Sequence, residues 1–135
     1  MFLLDTHVIS ELRKARADSN VQARARSVPP ASLLLSAVSL LELETGILRL
    51  ERRDAIQGLL LRTWLDKQVI PAFAGRVLPI DTAVALRCAR LHVPDRSNHS
   101  DALIAATALV HRLTVVTRNI DDFQATGAAL LDPWD

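Results

Sequence analysis

Short apolar runs alternate with longer stretches whose apolar residues return every three or four positions. Phe2-Leu3-Leu4 is the first run and ends at Asp5. Leu33-Leu34-Leu35-Ser36 is the second, Val77–Ile80 the third, Leu113–Thr117 the fourth and Ala128–Leu131 the last. Unbroken apolar runs of this length mark strands buried on both faces. The intervening stretches read as helices. One runs from His7 to Arg16, capped by Asp5 or Thr6, and residues 18–28 are weakly helical until Pro29-Pro30 stops them. Ser39-Leu40-Leu41-Glu42 matches a capping box opening a helix to Leu50. Residues 54–68 form a further helix, stopped by Pro71 and Gly75. Asp81 or Thr82 caps a helix over 83–91, and a polar loop leads into Ser100–His111. Asp121–Thr126 has room for one helical turn. Strands alternating with helices predict an α/β fold with a parallel sheet of four or five strands flanked by helices.

That topology has chemical consequences. In an open parallel sheet the ligand edge lies at the carboxyl ends of the strands, which the N-termini of the following helices also face. Asp5 stands at such an end, as do Thr117, Arg118 and Asn119. Glu42 and Asp101 fall in first helical turns directed to the same edge. Each has a plainer reading: Asp5 as a helix cap, Glu42 as half of a capping box, Asp101 as a complement to the helix dipole. Asp101 fits its plain reading least well. The helix after it, Ala-Leu-Ile-Ala-Ala-Thr-Ala-Leu-Val, is apolar all round and so buried. An acid at its mouth is costly unless something compensates it. Three carboxylates at one rim repel one another, and a divalent cation removes that repulsion. Oxygen ligands of this kind suit Mg²⁺, and Mn²⁺ accepts a similar set. A metal so held supports phosphodiester hydrolysis.

Composition narrows the alternatives. The 135 residues make one domain. Sixteen basic against fifteen acidic residues leave no uniform field that would draw the chain to nucleic acid or membrane. With three Phe, two Trp and no Tyr, an aromatic platform for single strands is not expected. The single cysteine, Cys88, excludes an internal disulfide and a cysteine-based zinc cluster, and it makes the cytoplasm the default location. Met-Phe-Leu-Leu-Asp has no basic leader of the secretory kind, and no apolar run has the length of a membrane span.

Four stretches carry a resemblance: Leu3-Leu-Asp-Thr-His-Val-Ile-Ser-Glu11, Leu35-Ser-Ala-Val-Ser-Leu-Leu-Glu-Leu43, Asp101-Ala-Leu-Ile-Ala-Ala-Thr107 and Val116-Thr-Arg-Asn-Ile-Asp-Asp-Phe123. With the tail Leu131-Asp-Pro-Trp134, their ordered set resembles the PIN-domain family, and most closely its VapC-type toxin ribonucleases. The resemblance spans the whole chain and implies a three-layer PIN-like fold over residues 1–135. It also implies Mg²⁺-dependent cleavage of RNA by a homodimer. A cognate antitoxin would inhibit that dimer and carry the pair to operator DNA. Matched residue by residue, it makes Asp5, Glu42 and Asp101 the metal-binding acids, with Glu42 bound directly or through water, and Thr117 a hydroxyl that positions them. His7 stands where many members have Asn, and Asn119 where some have a fourth acid, so Asp122 or Asp121 is left to compensate.

Two rival readings follow from the same residues. A phosphoryl-transfer protein also places Asp after parallel strands, but it needs a Lys near the carboxylates, and Lys14 and Lys67 sit on helices away from the strand ends. A catalytically weak PIN-like binding module, acting mainly in an antitoxin and operator complex, is favoured only by Asn119. A separate expectation concerns surplus apolar surface on the helices 39–50 and 54–68. Ile56, Leu59, Leu60 and Thr63 form one stripe, Leu61 and Leu65 add another, and Leu41 and Leu48 lie off the main face of the first helix. More than one apolar face per helix predicts a groove for a partner segment.

Overall fold

The computed structural model describes all residues from Met1 to Asp135. Its centre is β1 (Phe2–Leu4), flanked by β2 (Leu33–Ser36) and β4 (Thr114–Val116), with β3 (Val77–Leu78) and β5 (Ala129–Leu131) at the edges. All five strands are parallel, in the order β3-β2-β1-β4-β5. Phe2 pairs with Leu33 on one side and Thr114 on the other, which aligns the carboxyl ends of the three central strands.

The two faces of the sheet are filled by alternate residues of the same strands. Leu4, Leu35 and Val116 pack with Val8 and Ile9 of α1 (Thr6–Arg13), Val21 of α2 (Ser19–Arg26) and Leu43 and Ile47 of α3 (Ala37–Arg53). Leu3 and Val115 point the other way, onto Ile104, Ala105 and Ala108 of α7 (His99–His111) and Phe123 of α8 (Ile120–Gln124). Val84 and Cys88 of α6 (Thr82–Leu91) cover the far side of α7 at Ala102 and Ala106. The small residues of α7 admit both neighbours, and the helix is buried from Ile104 to Ala108.

Some boundaries differ from expectation for identifiable reasons. The helix after β2 begins at Ala37, because Ser36, in extended conformation, accepts the Val38 N–H at 3.0 Å and caps it. Ser39 is already inside the first turn, so the expected Ser39–Glu42 capping box does not form. The helix over 54–68 is longer than expected. It runs as α4 (Ala55–Trp64), a π-helical stretch Leu65–Val69 and α5 (Ile70–Ala72), and so passes through Pro71. Proline leaves one carbonyl unpaired and crowds the preceding turn. The widened turn, with Ile70 N–H bonded five residues back to Leu65, gives it room. Pro79 cannot donate to a ladder, and it cuts the third strand to two residues.

Helices α3 and α4 cross closely at Gly58, where a Cβ would stand 2.7 Å from Glu51 Cα. Arg62 clasps the pair by a two-pronged bond to Glu44, both contacts at 2.6 Å, and reaches Glu51 at 3.4 Å. No helix is long and apolar enough to cross a membrane.

Candidate active site

The strand order reverses direction beside β1: the chain leaves β1 toward β2, while β4 lies on the opposite side. Loops leaving β1 and β4 therefore diverge and open a crevice. Asp5 sits at its floor. Its backbone N–H bonds Val116 C=O at 2.9 Å, which continues the ladder one residue past the strand. The residue is only 3% exposed, and both carboxylate oxygens are engaged. Oδ1 accepts the Thr6 N–H at 2.7 Å and Oδ2 accepts the Thr117 hydroxyl at 2.8 Å. A buried charge needs such donors to persist.

Thr117 is itself fixed, its N–H on Leu131 C=O at 2.9 Å and its Oγ1 accepting the Asn119 N–H at 3.0 Å. Thr6 links the second acid to the first. Its hydroxyl donates to Glu42 Oε1 at 2.7 Å and lies 3.0 Å from Ser39 Oγ. A hydroxyl has one proton, so Ser39 is left to donate in that second bond. The residues of the expected capping box thus serve the crevice instead of the helix end.

Asp101 completes the edge from α7. Its N–H is held by the cap residue Asn98 at 3.0 Å. Burial, and after it the charges of Asp5, Asp122 and Glu42, push its carboxyl up to about 6, with His7 opposing them. Carboxylates from the end of β1, from α3 and from α8 therefore act on Asp101 across the crevice. They do not close into a cage: no group of three His, Cys, Asp or Glu side chains is drawn together tightly enough to hold a metal as it stands. As donors they are all hard oxygens, and their mutual repulsion fits them to a divalent cation.

Asp122, and not Asp121, is the neighbour that Asp101 senses. Both line an acidic hollow with Asp132, and Asp122 alone also faces the acids of the crevice. Asn119 precedes α8 without capping it through its side chain. Arg118 makes no ion pair with Asp121 or Asp122; its guanidinium lies over the Trp134 ring at 4.8 Å. His7, the first residue of the predicted first helix, stands close enough to Asp101 to favour its charged form. The signal for it was its place two residues past the strand-end acid.

The shift of Asp101 predicts a pH dependence. Its folded value lies above its ordinary 3.8, so the folded state holds the proton more tightly. Its contribution to stability is complete below about pH 4 and is lost as pH rises through about 6. With chelator present, the urea midpoint of Asp101→Asn should therefore exceed that of the parent increasingly from pH 4 to 7. A difference that does not change with pH would show that the Asp101 carboxyl is not raised in the folded protein.

The chain matches the PIN domain family over residues 2–129. It is similar to VapC ribonuclease Y4jK of Sinorhizobium fredii, with 36% identity over 100% of this chain and 99% of that protein. It is also similar to toxin FitB of Neisseria gonorrhoeae, with 35% identity over 99% of each. Its fold overlays a chain in the structure of FitAB bound to an IR36 DNA fragment with a TM-score of 0.86. That match has 32% identity and covers 100% of this chain and 96% of the other.

Proposed function

Because the chain belongs to the PIN domain family, we propose that it is a metal-dependent endoribonuclease toxin held in check by a cognate antitoxin. The observation that carries this reading is the hydrogen-bonded line Thr117–Asp5–Thr6–Glu42, which sets two acids at one crevice with Asp101 beside them. Asp5 and Asp101 would hold Mg²⁺ or Mn²⁺, with Glu42 bound directly or through water. When bound, the cation supplies charge against phosphate oxygens and acidifies water. The chain's own part is orientation. Thr117 and the Thr6 N–H fix both oxygens of Asp5, and the Thr6 hydroxyl aims Glu42 at the same space.

Relatives support the substrate and the partner by what they are named: a ribonuclease in one case, and in the other a toxin whose FitAB structure includes DNA. We extend these to this chain as an RNA substrate, an antitoxin, contact with operator DNA only through the antitoxin complex, a homodimer and a cytoplasmic location. The phosphoryl-transfer alternative loses its lysines. Lys14 is paired with Glu11 at 3.0 Å, and Lys67 lies in the π-helical stretch after α4. The direct test is cleavage of a total RNA preparation by purified protein with Mg²⁺, with excess chelator, and by Asp5→Asn. Chelator-insensitive cleavage, or none under any condition, overturns the reading.

The fourth-acid position gives a finer test. The charge of Asp122 raises Asp101, and Asp121 is not among the groups that do. Asp122→Ala should lower the cleavage rate by about tenfold, in the range typical of groups that support a metal's ligands. Asp121→Ala should stay within about twofold of the parent. Equal and negligible effects would reduce α8 to a structural turn.

A further inference from the structure

Beside the carboxylates, between α1 and the segment joining β4 to α8, lies a hollow of about 270 Å³. Ser10 and Lys14 form one wall, Arg118, Asn119 and Trp134 the other, and His7 stands at the border with the crevice. An RNA strand entering the crevice brings a polyanionic backbone past four acids, and it needs a cation next to them. Arg118 is placed for that. It is exposed, has no carboxylate partner within ion-pair distance, and lies over the Trp134 ring at 4.8 Å. The Trp134 backbone is anchored in turn: its N–H donates to Asp132 at 2.9 Å and its carbonyl accepts from the Asn20 amide at 2.8 Å. Contact with the ring steadies the guanidinium while leaving its N–H groups unpaired, and it limits the entropy lost on binding a phosphate.

The one acid in the hollow is already satisfied. Glu11 takes the Lys14 ammonium at 3.0 Å and the Asp18 N–H at 2.9 Å. Ser10 and Asn119 side chains make no hydrogen bond within the protein and are free for ribose or base. The neighbouring hollows suit a strand less well. One shares Arg118 and Asn119 but is otherwise lined by Asp121, Asp122 and Asp132, and the other is floored by Leu43, Ile47, Leu61 and Trp64.

We propose that this hollow is the subsite for the nucleotide next to the scissile phosphate, with Arg118, stacked on Trp134, as its phosphate clamp and Lys14 as an auxiliary cation. It rests on the ribonuclease reading above. The test is binding of a short mixed-sequence single-stranded RNA, read by fluorescence anisotropy across a salt series in an Asp5→Asn background. Arg118→Ala should weaken binding about tenfold, the size of one charge-assisted contact. It should also lower the slope of log affinity against log salt by about 0.7. Arg118→Lys should keep the slope and lose part of the affinity, and Lys14→Ala should cost less because Glu11 already holds that charge. In the active protein, Arg118→Ala should raise KM more than it lowers kcat.

Unchanged affinity and slope in Arg118→Ala overturn the subsite while leaving a cleaving parent intact as a ribonuclease. Failure of the parent to cleave, with RNA binding that still depends on Arg118, overturns the ribonuclease reading and keeps the subsite. Absence of RNA binding overturns both.

Discussion

Asp5→Asn, Asp101→Asn and Glu42→Gln should each reduce RNA cleavage by about a thousandfold while the protein stays folded. Groups that merely support metal ligands cost about 10–100-fold when removed, and the ligands themselves should cost more. The three variants should part company in stability. Asp101 is raised by burial and by its acidic neighbours, so neutralising it relieves strain in the metal-free protein. Asp5 is different, because each of its oxygens accepts a hydrogen bond. An amide there turns its NH₂ toward a donor and leaves one of those bonds unmade. Metal-free Asp101→Asn should therefore melt above the parent, and Asp5→Asn at or below it. Full cleavage by Asp101→Asn, or by the parent in excess chelator, would remove the metal-dependent mechanism.

The acids were legible in the sequence because they stand where an apolar run stops or a buried helix starts. Asp5 follows Phe2-Leu3-Leu4, and Asp101 precedes an uncharged helix. Their place at one edge then follows from the parallel topology alone. What joins them was not legible. Thr6 to Glu42 and Thr117 to Asp5 span 36 and 112 residues of chain, and side-chain hydrogen bonds over such distances leave no periodic trace. Ser36 and Ser39 are alike as residues, and only the extended backbone at Ser36 makes it the cap. The passage of the helix through Pro71 depends on packing of Leu65 and Val69 in the core, which overrides the local stop. Pro79 did carry a local signal, and it ends the third strand as its missing N–H requires.

Placing a charge on the outer faces of α3 and α4 should release the partner without unfolding the protein. The two helices do pack on each other, through Gly58 against Glu51 and through the Arg62 clasp. That contact uses only one side of each. Ile56, Leu59, Leu60 and Thr63 recur at helical spacing on the other side of α4, and the three aliphatic residues are 75%, 64% and 60% exposed. Leu41 and Leu48 are exposed on α3 in the same way. Leu61, by contrast, packs against the core, so a charge there would test folding as well. Burying a leucine at an interface contributes about 1.5–3 kcal/mol, and an Asp in its place adds a desolvation cost. The pair Leu48→Asp and Leu60→Asp should therefore weaken antitoxin binding or dimerisation by at least about a hundredfold. Because both positions are mostly solvated, the urea midpoint should move little, within about 0.5 kcal/mol of stability. Cleavage assays with added antitoxin and light scattering at low protein concentration read the two outcomes separately. A double variant that is still inhibited and still dimeric would mean that these faces meet no partner, and that the exposed stripe of α4 is simply surface.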